Sequence, residues 1–595
     1  PDNGAYAYGE GSRCLSNEGG KAAFLAAVQA ANIPEGERRA LALRRTALEP
    51  DCAGAAGLAG DPLADKRSEE GRAWGAYLEG AEAFYGATYD KARTQFESLK
   101  AARNPWLRET ALYMIGRVEL NRAQVDAYDE YGDRKQDQPI DSQRIRAADE
   151  GLRDYLKAYP KGIYAASARG LLRRVYWLAG DHASLSGEYA LLFSNPLPGL
   201  DDGRLAEEID DKLLSAIDAS NVSDPMLLAV SDLQNMRKAE HDYDEGCCGE
   251  PIAAAALDAQ RLAFAKMPAL FDYLRAARAW YVDASPANVL QLIPDAARQS
   301  RFTAIEFSRQ MLRGIALEAI KDRNARGFWI EMLPGAKMPW QRAAVELAIA
   351  LHDERAGALA RIFEAGSPVE TASIREILLI NIADAGLLRQ QAKDGRVPRH
   401  ERDVALFTLL YKSVSRGQYR AFVDDLALVP AGASTDNAYW SLREAEKPPL
   451  GLFTRPPSLG DYGCPPLRTT ATQLSANARD SRARLCLADF MRANGFDGIG
   501  IDTQPTGDQL GSMPTLFAGS PYSRLEVYKT IIADPVATAA DKAYALYRAV
   551  NCYGPSGNNS CGGAEVSKEV RRAWYLQLKK DYPQSRWAGQ LRYYW

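Results

Sequence analysis

Apolar residues three and four positions apart, renewed stretch after stretch for most of the chain, constrain this sequence more than any other feature. Over 21–48 they fall at Phe24, Leu25, Val28, Ile33, Leu41 and Leu43, with Pro34 and Gly36 marking a break between two helices. The same spacing returns over 302–320, 341–351, 374–385 and 404–414, each stretch bounded by Gly, Pro or Asp. Alternation of the strand type is nearly absent, so the expected fold is all-α. Helices of roughly ten to twenty residues joined by short turns are how arrays of helical hairpins read in sequence. A chain of 595 residues exceeds what one hydrophobic core supports, so it must divide into domains or extend as a superhelix.

Charge removes several functions. Lys and Arg number 73 against 77 Asp and Glu, a net charge of -4, so no bulk field attracts nucleic acid or anionic lipid. No apolar run reaches the roughly eighteen residues of a membrane span; the run 377–380 soon meets Asn381 and Asp384. The first residue, Pro1, fits a mature chain whose signal peptide has been removed, and equally a chain trimmed at a boundary.

Cysteine usage points to an oxidising compartment, periplasmic or extracellular. The eight cysteines are Cys14, Cys52, Cys247, Cys248, Cys464, Cys486, Cys552 and Cys561, most of them in turn-rich surroundings that suit disulfides better than core thiols. Eight allow 105 connectivities, and pairing between neighbours is expected. Cys552 and Cys561 flank a Gly-Pro-Ser-Gly turn that can bring its ends together; Cys464 with Cys486 and Cys14 with Cys52 would each staple a loop to an adjoining element. The adjacent Cys247 and Cys248 form either a vicinal bridge or links to two other places. No CxxC occurs and only His241 lies near a cysteine, so no metal is expected.

Catalytic patterns are lacking. The four histidines, His182, His241, His352 and His400, stand in no HExxH and beside no hydrolase-type Ser or Cys motif, and no phosphate-cradling glycine loop follows a strand. Acidic clusters at Asp242, Asp244 and Glu245, and at Asp126, Asp129, Glu130 and Asp133, lack calcium-loop spacing and read as solvated loops. The expectation is no enzyme and no cofactor. A lytic transglycosylase would need a Glu-Ser signature in a lysozyme-like domain after residue 445, and none is present.

Two stretches carry a more specific likeness. Trp74, Tyr77, Leu78, Gly80, Ala81, Phe84 and Tyr85, followed by Tyr89, Ala92 and Phe96, resemble a tetratricopeptide repeat (TPR), and Trp106, Ala111, Met114, Gly116 and Leu120 continue the array. The phrase Tyr159-Pro160-Lys161-Gly162-Ile163-Tyr164-Ala165, restated as Tyr582-Pro583-Gln584-Ser585-Arg586-Trp587-Ala588, is similar to repeats of periplasmic TPR proteins of the outer-membrane barrel-assembly lipoprotein family. In each copy Pro stops one helix, Gly162 or Ser585 helps start the next, and Tyr164 or Trp587 is expected to pack on the preceding helix.

The expected architecture is a TPR-like helical-hairpin superhelix, an α-solenoid, with a loop-rich, disulfide-stapled C-terminal part. Its expected divisions are an N-terminal cap over 1–65, TPR-like repeats over 66–200, degenerate repeats over 201–445 and a cystine-containing module over 446–595. Linkers are read at 195–203, at 242–251, at 447–466 with its Pro-Pro pairs, and at 494–519. What the resemblance implies is a non-catalytic scaffold of the bacterial cell envelope that binds protein partners, including outer-membrane or envelope proteins. A peptidoglycan-associated enzyme or regulator and a structural subunit of a surface assembly are the alternatives.

Overall fold

The structure is a computed structural model that describes residues 14, 16–48, 68–125, 127, 140–194, 202–214, 224–237, 251–436, 442–456 and 462–595. It is all-α: among the described residues there is no strand, and Tyr553 and Asn559 form an isolated antiparallel bridge. Two compact units divide the chain, Pro1–Ser285 and Pro286–Trp595.

In the first unit the periodic stretch at 21–48 folds as helices Asn17–Gln29 and Glu35–Thr46, broken at Pro34 as expected. Phe24 and Leu41 are fully buried whereas Leu43 is 72% exposed, so the apolar stripe is narrower than the sequence suggests. Helix Glu69–Tyr85 begins where Ser68 Oγ accepts from the Gly71 amide, and Pro105–Ala123 begins where Asn104 Oδ1 accepts from Trp106 N, with Pro105 in the first turn. Phe24, Trp74, Tyr77 and Trp106 from these helices stack into one core, the two indoles 5.4 Å apart.

Glycine sets the closest approaches. Helices Pro105–Ala123 and Ser142–Ala158 run antiparallel, since Arg144 meets Glu119 near one end and Tyr155 meets Glu109 near the other. Between these points a Cβ on Gly151 would lie 3.0 Å from the Gly116 Cα. Phe96 of helix Tyr89–Ser98 fills the space over Gly80 in the same way. Successive helices pack in chain order, and alternate ones also touch: Glu69–Tyr85 with Pro105–Ala123, and Pro105–Ala123 with Ala165–Ala179.

The phrase at 159–165 departs from expectation in one respect. Tyr164 stacks at 4.4 Å on Tyr113, two helices back, and lies 6.3 Å from Tyr155 of the preceding helix. Gly162 precedes the next helix, its carbonyl accepting from Ala165 N at 3.1 Å. A Cβ there would fall 2.3 Å from Glu109 Oε1 and 2.5 Å from the Tyr155 hydroxyl, so the position is reserved by crowding.

In the second unit, Ala304–Ala319 opens with a reciprocal capping box between Thr303 and Glu306. Trp329 of Ala325–Met332 lies over Gly314, where a Cβ would be 2.1 Å from the indole. Alternate contacts recur from Ala304–Ala319 to Pro339–Arg355, to Ala372–Asn381 and to Arg399–Ser415. A second core gathers Tyr462, Tyr528, Tyr544, Leu578, Trp587 and Leu591. Trp587 packs at 4.6 Å from Tyr544 and 5.2 Å from Tyr547, again two helices back, and Ser585 Oγ caps its helix by accepting from Ala588 N. Leu591 is buried and Tyr594 lies against Tyr575, while Tyr593 is 64% exposed.

Candidate functional site

One helix of the second unit is apolar on two sides. Pro339–Arg355 turns Val345 and Ile349 fully into the core, yet Trp340, Ala344, Leu347 and Leu351 line up on the opposite side at helical spacing. Trp340 is 51% exposed beside Phe307, Leu347 is 38% exposed, and Ala344 and Leu351 are partly buried against the core; of the four, Leu347 and Leu351 border an open space. Beside it runs Ala372–Asn381, whose entry is held by the buried Glu346 carboxylate accepting from the amides of Glu370 and Thr371 at 2.8 and 2.6 Å. That helix presents Ser373, Ile374, Ile377, Ile380 and Asn381 to the same space.

The facing wall comes from far along the chain. Residues 499–510 bring Ile499, Ile501, Thr503, Gln509 and Leu510 opposite the two helices, and Leu442 and Arg443 complete the rim. The result is a groove of about 770 Å³, within the range of ligand sites, with predominantly Leu and Ile walls.

Ionised side chains fix this wall. Glu354, 4% exposed, accepts from Gly511 N at 3.0 Å and from Met513 N at 3.0 Å. Arg416 donates to the carbonyls of Phe517 and Gly519 and pairs with Asp502. Leu516 N donates to the Ile382 carbonyl at 2.8 Å, and Gln504 Nε2 to that of Met513, also at 2.8 Å. Lys412, 1% exposed, donates to the Ile380 carbonyl at the C-terminal end of Ala372–Asn381, with the Phe517 ring 5.9 Å from its ammonium. Burial, reinforced by the Arg416 charge, brings the Lys412 ammonium down to about 8 despite the opposing pull of Asp502. Burial also raises the neighbouring Tyr411 hydroxyl, as do the charges of Asp502 and Asp497.

The residues singled out in the sequence lie elsewhere. Cys464–Cys486 and Cys552–Cys561 are bonded, with S–S distances of 2.14 and 2.05 Å and Cα atoms 5.4 Å apart in each; the first ties the Pro-rich segment to helix Ser481–Ala493. Cys14 is disulfide-bonded, and Cys52, Cys247 and Cys248 lie outside the described residues. So do His241 and both acidic clusters. His352 Nδ1 meets Glu318 at 2.9 Å. His400 Nδ1 meets Glu376 at 2.8 Å and its Nε2 the Ala445 carbonyl at 2.9 Å. Burial works to lower the His400 imidazole, but Glu376 and the Ala445 carbonyl raise it above its usual value. His182 is half-buried at the start of His182–Ser194. Neither His352 nor His400 lines the groove.

No residue of this groove was assigned to a binding surface from the sequence. Its one advance signal is the doubled apolar surface of Pro339–Arg355, which exceeds what a single core contact needs. Among the described residues no helix is long and apolar enough to cross a membrane, and no three His, Cys, Asp or Glu side chains are placed to hold a metal ion. No family model, curated protein or solved structure matches the chain.

Proposed function

We propose that this chain is a non-catalytic, TPR-like helical scaffold of the bacterial cell envelope that receives part of a protein partner in the groove of its second unit. The observation that carries the reading is the groove itself: a mainly aliphatic concavity of about 770 Å³, with a helical floor and a wall held by Glu354 and Arg416, that the side chains of the described residues leave open. Its mixed, mainly aliphatic lining favours a polypeptide over a glycan strand, which acidic and aromatic residues would suit better. Contacts between alternate helices are those of a superhelical array and support the TPR-like arrangement. Bonded cysteines support an oxidising compartment.

Selection of a random-peptide phage library on the immobilised full chain tests this reading. Sequences rich in Leu, Ile or Val are expected to enrich on the wild type and not on Ile377→Asp, whose helix content by circular dichroism is expected to be unchanged. Equal enrichment on both proteins, or none on the wild type, would overturn the proposal.

A further inference from the structure

His400 stands behind the groove, where its helical floor and its rim meet. Its Nδ1 lies 2.8 Å from the carboxylate of Glu376, on helix Ala372–Asn381, and its Nε2 lies 2.9 Å from the main-chain carbonyl of Ala445. That helix gives Ile374, Ile377 and Ile380 to the groove, and Leu442 and Arg443, just before Ala445 in the chain, form its rim. Among the described residues, the bond from His400 is the one hydrogen bond that ties 442–447 to a helix.

Both ring nitrogens face groups that only accept. A carboxylate and a carbonyl have no hydrogen to give, so each nitrogen has to donate, and an imidazole has two N–H groups only when it is protonated. The arrangement is that of an imidazolium. Burial works against the charge, but Glu376 and the Ala445 carbonyl, aided by Asp403, hold the His400 imidazole above its usual value.

Other charges nearby are engaged elsewhere. Arg375, beside Glu376, pairs with Glu401 at 2.8 Å, and on the histidine's own helix Asp403 has Arg399 at 3.5 Å while Arg402 acts on Asp394 and Asp403. Of the other helices packed on Arg399–Ser415, Ala385–Lys393 turns Arg389 to Asp425 and leaves Lys393 exposed. Tyr419–Asp425 pairs Arg420 with Asp424, and burial raises its Tyr419 hydroxyl. Arg443, Glu444, Glu446 and Lys447 of the rim segment are exposed, and the turn Leu450–Phe453 carries no ionisable group.

We propose that His400 is a proton-operated clasp: as an imidazolium it holds 442–447 to helix Ala372–Asn381, and on losing its proton it lets that segment, with Leu442 and Arg443, come away and opens the groove along this edge. A neutral imidazole keeps one N–H, so one nitrogen then turns a lone pair toward an oxygen. A hydrogen bond to a carboxylate is the stronger of the two, so the N–H stays with Glu376 and the Ala445 carbonyl loses its donor. Ala445 is 8% exposed, and its carbonyl regains a partner by moving outward to water. His400 is half-buried, so solvent protons reach it. The folded state holds this proton more tightly than the unfolded chain does, so the clasp is closed at low pH and is lost as pH rises through the folded histidine's value. As a control on what enters the groove the clasp rests on the partner-binding reading; as a property of the rim it does not.

Digestion of the full chain with a glutamate-specific protease, active on both sides of neutrality, tests the clasp. Cleavage after the exposed Glu444 and Glu446 is followed by mass spectrometry, and each rate is divided by that of a free peptide of residues 442–449 at the same pH. The wild-type ratio is expected to be at least fivefold higher at about pH 8.5 than at about pH 5.5. The ratio for the exposed Glu565, normalised to its own free peptide, is expected to stay level, which separates release of the rim from general unfolding. His400→Ala is expected to be cut fast at both pH values. His400→Arg, whose guanidinium has donors for both partners at every pH, is expected to be cut slowly at both. A wild-type ratio that does not change with pH, or a change that His400→Ala retains, overturns the clasp and leaves the groove as a docking site. The wild-type profile uses unaltered protein, so it decides the matter even if a variant misfolds. Because the assay needs no partner, a phage library that yields nothing would overturn the partner-binding reading and leave the clasp standing.

Discussion

The phrase at 159–165 and its restatement at 582–588 are close in sequence and are seated by different chemistry. Each stops a helix just before its proline and sends an aromatic ring to the helix two places back. In the first, one carboxylate organises the turn: Glu109 accepts from the Tyr155 hydroxyl at 2.9 Å and from Ile163 N at 2.7 Å, and Gly162 is required because nothing larger fits beside it. In the second, Ser585 caps the short helix and Trp587 is held among tyrosines, with the Arg586 guanidinium 4.2 Å from its ring. A short repeated phrase thus dictates where the chain breaks and which ring goes inward. The contacts that hold the ring belong to residues the phrase does not contain.

That contrast can be broken experimentally. Trp587→Ala empties the aromatic box and is expected to cost about 4 kcal/mol in denaturant unfolding. Reducing Cys552–Cys561, nine residues apart, removes a cross-link from the same core and is expected to cost about 2–3 kcal/mol, read as a lower midpoint in reductant. Gly162→Ala drives a methyl into Glu109 and is expected to cost about 2 kcal/mol, with Glu109→Ala partly restoring the double variant, a coupling that Ser585 should not show with any carboxylate. Ser585→Ala loses only a cap, about 1 kcal/mol.

A separate effect, of pH, concerns ionised seating in the second unit. The folded chain releases the Lys412 proton near pH 8, whereas the unfolded chain keeps it to the usual lysine range. The unfolded state therefore binds more protons in that window, and stability should rise as pH climbs through it. Lys412→Met should flatten the rise in urea midpoints measured from pH 7 to pH 10.

Much of the helical framework is legible because it is local. Pro34, the periodic leucines of 404–414 and the glycines at 80 and 116 act within a turn or on an adjoining helix, and Cys552 finds Cys561 across one tight loop. The groove is not legible in the same way. Residues 494–519 read as a linker rich in Gly, Asp, Thr and Pro, and their role as a wall depends on Glu354, more than a hundred and fifty positions earlier. No spacing rule connects such partners, because the hydrogen bonds that hold the wall are made to main-chain amides, which every residue carries. Tyr164 and Trp587 show the same limit: that their rings pack inward was readable, their partners were not.

The clamp on Glu354 also has a consequence for the order of events during biosynthesis. A ribosome releases the helices at 339–381 well before it reaches residue 511, and until then the carboxylate has no amide to receive and the isoleucines no opposing wall. The chain therefore completes its groove late, and a fragment ending before residue 499 would lack it. The finished groove is in this way reserved for molecules whose synthesis has passed residue 513.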